Sequence, residues 1–140
     1  MKNSGFTLIE LLVAIAVAGI LAAIAAPSWL SFVQQRRLSA ATDRVYQAVR
    51  AAQSEARQTK TTQTLQPATE IHSSVNVTYP TPALSFDHRG AVKAGALPHR
   101  INLTIENGGS GSRCVVVRTI LGATATGRNA QECNRLETVQ

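Results

Sequence analysis

Residues 5 to 27 read GFTLIELLVAIAVAGILAAIAAP, from Gly5 to Pro27. Between Phe6 and Ala26 every residue is apolar or small except Thr7 and Glu10. As a helix rising about 1.5 Å per residue, this segment matches the roughly 30 Å hydrocarbon core of a bilayer. A carboxylate at the centre of such a span costs about 2.5–3.5 kcal/mol on insertion scales, so Glu10 demands a physical reason.

Three architectures compete for the segment. An ordinary secretory signal needs a basic start, an apolar run and a small-residue cut site, here Lys2 and Ala23-Ile24-Ala25. A plain single-span anchor keeps the whole run. In the third, a short basic leader is removed ahead of the run, which is retained. Neither of the first two needs Glu10. Gly5-Phe6-Thr7-Leu8-Ile9-Glu10 followed by an apolar run resembles the type III signal of type IV pilins and type II secretion pseudopilins. The resemblance implies that a membrane-embedded prepilin peptidase cuts between Gly5 and Phe6 and methylates the new Phe6 amine. It also implies a filament of bundled apolar helices, in which Glu10 pairs with the α-amine of a neighbour's Phe6, because a buried carboxylate needs a cation. Gly19 and Pro27 match helix-weakening positions of the same family. Gly costs about 1 kcal/mol in a helix interior, and Pro lacks an N–H and clashes with the preceding turn.

Beyond Pro27 lie 13 of the 14 basic residues and seven of the eight acidic ones, so this part carries the whole net charge of +6. Such a surface suits nucleic acid, anionic headgroups or an acidic protein, and is also common where none of these binds. The chain has six aromatic residues, which makes the core of this part modest. Leu30, Val33, Leu38, Ala41, Val45, Ala48 or Val49, Ala52 and Ala56 recur every three to five positions. Arginines 36, 37, 44, 50 and 57 fall mainly between them, which predicts an amphipathic helix to about Gln58. The threonine-rich stretch Thr59 to Thr64 ends it.

The periodicity then switches to two. Val75 to Tyr79 alternates, Ala83 to Phe86 runs into the turn Asp87-His88-Arg89-Gly90, and Ile101, Leu103 and Ile105 share one face. Asn107 to Ser112 is a flexible connection to Cys114–Ile120, giving a hairpin. The expected fold is α+β and pilin-like: one long N-terminal helix on a small antiparallel sheet. It divides into a leader at 1–5, an apolar helix at 6–26, an amphipathic helix at 27–60 and a β-rich part at 61–140. The C-terminal half is similar to the GspH/FimT family of minor pilins and pseudopilins. The stretches that carry this are Leu84 to Gly90, Ile101 to Ile105, Arg113 to Ile120 and Thr126-Gly127-Arg128.

Cys114 and Cys133 lie 19 positions apart. In an exported chain they read as a disulfide contributing about 3 kcal/mol, and without a matching histidine pair they make a poor zinc site. His72, His88 and His99 lack ligand spacing, so no metal or other cofactor is expected. No G-x-S-x-G frames a nucleophile, and Gly108, Gly109 and Gly111 lack the Lys-Ser/Thr of a phosphate loop, so no catalytic site is expected.

The resemblance raises one binding alternative. Some FimT-type minor pilins are DNA receptors in natural transformation, with a C-terminal Gly-Arg-x-Arg motif on the backbone. Gly127-Arg128-Asn129-Ala130 keeps the first arginine and lacks the second, and Arg135 is too far along to replace it. Arg113 and Arg118 are candidates to supplement Arg128, since arginine binds phosphate well, but no aromatic lies nearby to stack bases. The expected partners are therefore other pilin or pseudopilin subunits, prepilin peptidase, the inner-membrane assembly platform and the membrane, with DNA as the alternative. The expected location is a single pass through the bacterial inner membrane with the globular part periplasmic, followed by a pilus or pseudopilus.

Overall fold

The computed structural model describes residues 6–106 and 111–138, which form two compact units divided between Val33 and Gln34. The leader, including Gly5, lies outside the described residues. Helix α1 spans Leu8–Thr59. Its start is set locally. Thr7 is the N-cap, its Oγ1 accepting the Glu10 N–H at 3.3 Å while its carbonyl accepts the Leu11 N–H at 3.2 Å.

In the first unit, every described side chain from Phe6 to Phe32 is exposed. The apolar stretch is long and apolar enough to cross a membrane. Leu30, which the periodicity assigned to the core stripe, is 58% exposed and belongs to this unit. Helical residues continue through Gly19 and Pro27 without a break.

In the second unit the stripe begins at Leu38. Leu38, Ala41, Val45, Val49, Ala52 and Ala56 are all buried, at spacings of three and four that keep them on one helix face. The helix closes at Thr59, and Lys60 follows with a positive φ of 57°. Facing the stripe are strands of two small antiparallel sheets. In the smaller sheet, β1 (Gln63–Thr64), β3 (Ser85–Phe86) and β4 (Val92–Ala94) run in the order β1-β3-β4. In the larger, β2 (Val75–Thr78), β5 (His99–Ile105), β6 (Ser112–Val117) and β7 (Thr124–Gly127) run in the order β2-β5-β6-β7.

Register explains the burial. On β5, His99, Ile101, Leu103 and Ile105 turn to the α1 core, while Arg100, Asn102 and Thr104 face the other way. β5 and β6 pair from His99↔Val117 to Thr104↔Ser112, the hairpin that the alternation predicted. Val115 and Val117 therefore share the α1 core, and Cys114 and Val116 face the opposite side. A strand buried on both faces needs a cover on both, which is why Cys114 to Val117 reads as an unbroken apolar run. The second cover is α2 (Ala130–Thr138), which packs on β6 and β7 and closes a small second core of Cys114, Val116, Cys133 and the half-buried Leu136. This unit is thus α+β in three layers, with α1 and α2 on either side of the larger sheet.

The stretch beyond Gly122 has few apolar residues and is nonetheless structured. It forms β7 and α2, and α2 starts at a cap written in the sequence. Asn129 Oδ1 accepts the Glu132 N–H at 2.8 Å, and Glu132 Oε2 accepts the Arg128 N–H at 2.8 Å. Asn-x-x-Glu is the reciprocal capping pattern of a helix start.

Candidate functional site

Two places invite a functional reading: the N-terminal segment, and the arginine-bearing end of the larger sheet. In the first, Phe6 is 83% exposed and Glu10 sits in the first turn of α1. Thr7-Leu8-Ile9-Glu10 is a capping sequence, with the N-cap hydroxyl on the backbone N–H three residues on. A carboxylate in a helix's first turn is favoured by the exposed N–H groups and the positive end of the helix dipole. Glu10 therefore has a local reason to be where it is, in addition to the assembly role that the resemblance implies. Thr-x-x-Glu ahead of an apolar run was the sequence signal for it.

The second place brings together less than the sequence suggested. Arg113 pairs with Leu103 at the start of β6, and its neighbour Cys114 pairs with Gly127 of β7. Arg128 leaves β7 one residue later, so Arg113 and Arg128 share one end of the sheet. Arg118 lies beyond the other end of β6, where its N–H donates to the Ala123 carbonyl at 2.8 Å. Five residues of strand separate it from Arg113, a distance of about 17 Å, and put it on the opposite face. Beside Arg128 stands a carboxylate, Glu132, bonded to its backbone N–H.

Gly127 has a structural reason of its own. A Cβ placed there would come within 2.6 Å of Cys133 Sγ and 2.8 Å of Cys114 Sγ. The glycine is what lets the Cys114–Cys133 disulfide, with Cα atoms 6.0 Å apart, lie against β7. The Gly-Arg pair reads first as room for a crosslink and only then as a contact motif.

Two further residues, neither marked by any sequence motif, organise the second unit. Arg100 fastens α2 to the sheet. Its Nε donates to Asn102 Oδ1 at 2.5 Å, its Nη1 donates to Asn134 Oδ1 at 2.9 Å, and Nη1 lies 3.4 Å from Glu137 Oε1. Gln53 is buried on α1, and its Nε2 donates to the carbonyls of Gly90 at 2.8 Å and Leu121 at 3.0 Å. It pins two loops at once, and a Cβ on Gly122 (φ 80°) would collide with that amide. Polar residues inside a helix pattern reveal nothing of such long-range partners.

The histidines are dispersed. His72 Nδ1 accepts the Ser74 N–H at 3.1 Å, His88 lies exposed in a turn, and His99 is buried at the start of β5. Burial lowers the His99 pKa below the ordinary imidazole value, opposed by a hydrogen bond with the Ala96 backbone. In the turn beside His88, Asp87 Oδ1 accepts the Ala91 N–H at 2.8 Å and the Arg89 N–H at 2.9 Å. The Ala91 bond is the main reason that the Asp87 carboxyl stays below its usual range, against the opposing effect of partial burial. Among the described residues, no three His, Cys, Asp or Glu side chains come together as a metal site.

Comparison with known proteins adds one positive result. The family described as "Prokaryotic N-terminal methylation motif" matches residues 1–26. No curated protein and no solved structure matches the chain. The matched stretch contains Gly5, Phe6, Glu10 and most of the exposed apolar helix. The chain thus carries a type IV pilin-like N-terminal methylation segment, joined to an α+β unit that has no match among solved structures.

Proposed function

We propose that this chain is a minor pilin or pseudopilin, a structural subunit of a type IV pilus or of a type II secretion pseudopilus, most like the GspH/FimT group. Prepilin peptidase removes the leader between Gly5 and Phe6 and methylates the Phe6 amine. The exposed apolar helix first anchors the subunit in the inner membrane with the globular unit on the periplasmic side. The assembly platform then moves it into a filament, where the apolar helices of neighbours cover one another. Glu10 meets the Phe6 amine of an adjacent subunit, and Gly19 and Pro27 are places where the helix yields on assembly.

The observation that carries this reading is the methylation-motif match at residues 1–26 on a helix whose described apolar side chains are exposed. Intact-mass spectrometry of the membrane fraction tests it. The expected mass is that of a chain starting at singly methylated Phe6. An uncut chain, or one starting just after Ala25, overturns it. DNA reception gains no support from the geometry, because Arg118 stands apart from Arg113 and Arg128, and Glu132 lies beside Arg128.

A further inference from the structure

The first unit contains an aromatic pair that neither processing nor filament pairing uses. Trp29, the only tryptophan of the chain, is 68% exposed, and Phe32, one helical turn on, is 50% exposed. Their ring centroids are 5.9 Å apart with the planes tilted by 37°. With Ala22, Ala25 and Ser28 they line a shallow apolar notch along one helix face. The Ser28 and Ser31 hydroxyls donate back to the Ala25 and Ser28 carbonyls, each at 2.9 Å, so neither adds a free polar group to this face.

We propose that Trp29 and Phe32 form a bilayer-interface anchor, which fixes the depth of the unassembled subunit by seating the indole at the headgroup level and an acyl chain in the notch below it. The inference rests on the membrane stage of the function proposed above. Distance is the first argument. Glu10 and Trp29 are 19 residues apart. A helix of that length rises about 28 Å, close to the roughly 30 Å of hydrocarbon. The carboxylate and the indole then stand at opposite faces of the bilayer, with only apolar and small residues between them. Placed so, Glu10 avoids the full cost of a mid-bilayer charge, which falls toward the interface.

Chemistry is the second argument. An indole has a large apolar body and one N–H that seeks a polar partner, and the ester and headgroup layer offers both environments. The notch extends from the rings toward Ala22, along the direction an acyl chain takes away from its ester.

Trp29 is its own probe. The processed full-length chain is reconstituted at high dilution in phosphatidylethanolamine–phosphatidylglycerol vesicles whose acyl chains carry bromine near either the ester end or the methyl end. Flotation is measured on the same samples. The expected result is a floating protein with blue-shifted emission, quenched at least about twofold more by the ester-end bromines, as an interfacial ring requires. Stronger quenching by the methyl-end bromines, or no quenching of a chain that floats, overturns the anchor and leaves membrane insertion intact. A chain that fails to float overturns both. Two variants calibrate the depth in a Trp29→Phe background. Ile20→Trp lies about 13 Å deeper along the helix and should reverse the bromine preference, while Phe32→Trp should be quenched less by both. An Ile20 probe that behaves like Trp29 also sinks the proposal.

Discussion

The two halves of α1 meet the same problem with opposite solutions. From Phe6 to Phe32 every described side chain is exposed, including Leu8, Ile9, Leu11, Ile15, Ile20 and Ile24. From Leu38 to Ala56 the apolar stripe is buried against strands of the same chain. The second half is amphipathic and needs one partner surface, which two small sheets provide. The first half is apolar all round, and no single sheet is able to cover a helix on every side. Such a surface suits a partner on every side, as lipid or a bundle of other helices provides. Sequence composition around the helix, rather than helix length, decides which kind of partner each half requires.

The contrast is sharpest if damage to one half leaves the other untouched. Phe86→Ala should cost about 3–5 kcal/mol of stability in the second unit, because the ring is fully buried in the α1 core. Chemical denaturation followed by circular dichroism measures this, and membrane flotation of the same variant should be unchanged. In the opposite direction, Glu10→Gln and Glu10→Ala should leave that denaturation curve where it is. On the pairing proposed above, both should lower incorporation into filaments, since breaking a buried ion pair costs about 3–5 kcal/mol where the partner charge stays behind. Thr7→Val is the control. It removes the N-cap hydroxyl, at about 1 kcal/mol, and keeps the charge, so incorporation should stay near wild type. Should Thr7→Val assemble as poorly as Glu10→Ala, the cap and not the ion pair is what Glu10 serves.

Replacing Cys114 and Cys133 together by Ser should lower the stability of the second unit by about 3 kcal/mol, with no effect on processing at Gly5. The smallest effect expected is a pH dependence confined to the second unit. His99 has a folded pKa below its ordinary value of 6.5, because burial disfavours the cation. The unfolded chain then binds the proton more tightly than the folded one. Stability is complete above the unfolded value and falls as pH drops through it, levelling off below the folded value. Denaturation midpoints measured from neutral to mildly acidic pH should show this slope, and His99→Leu should flatten it.

The parts of the fold that were legible in sequence are those set by short-range periodicity. The α1 stripe from Leu38 to Ala56, the β5–β6 hairpin and the Asp87-His88-Arg89-Gly90 turn all follow from spacing and turn chemistry. The apolar segment and its charge were legible too, because a carboxylate in such a run is conspicuous. α2 stayed hidden because its cover is small: Cys133 and Leu136 are its main apolar contributions, and a nine-residue helix with so few apolar positions has almost no stripe to read. Its start was nonetheless visible in Asn129-Ala130-Gln131-Glu132. The alternation read from Val75 to Tyr79 becomes a strand over Val75–Thr78, since those residues pair with β5. Among the arginines, strand parity and five residues of rise set Arg118 apart from Arg113, which shares its end of the sheet with Arg128. The partners of Gln53 and Arg100 depend on loops and a helix far away in sequence, and no local pattern encodes them.

The second unit carries a strand that needs covering on both faces. β6 carries Cys114-Val115-Val116-Val117, a short run of high β propensity without charge, which is the composition that stacks into sheets when left open. α1 closes one face of it and α2 the other. The nine residues of α2, held by one crosslink and by Arg100, therefore act as a solubility device as much as a source of stability. A truncation before Ala130, or a fusion that pries the tail loose, would open this run to strand pairing between chains while leaving the apolar half of α1 intact.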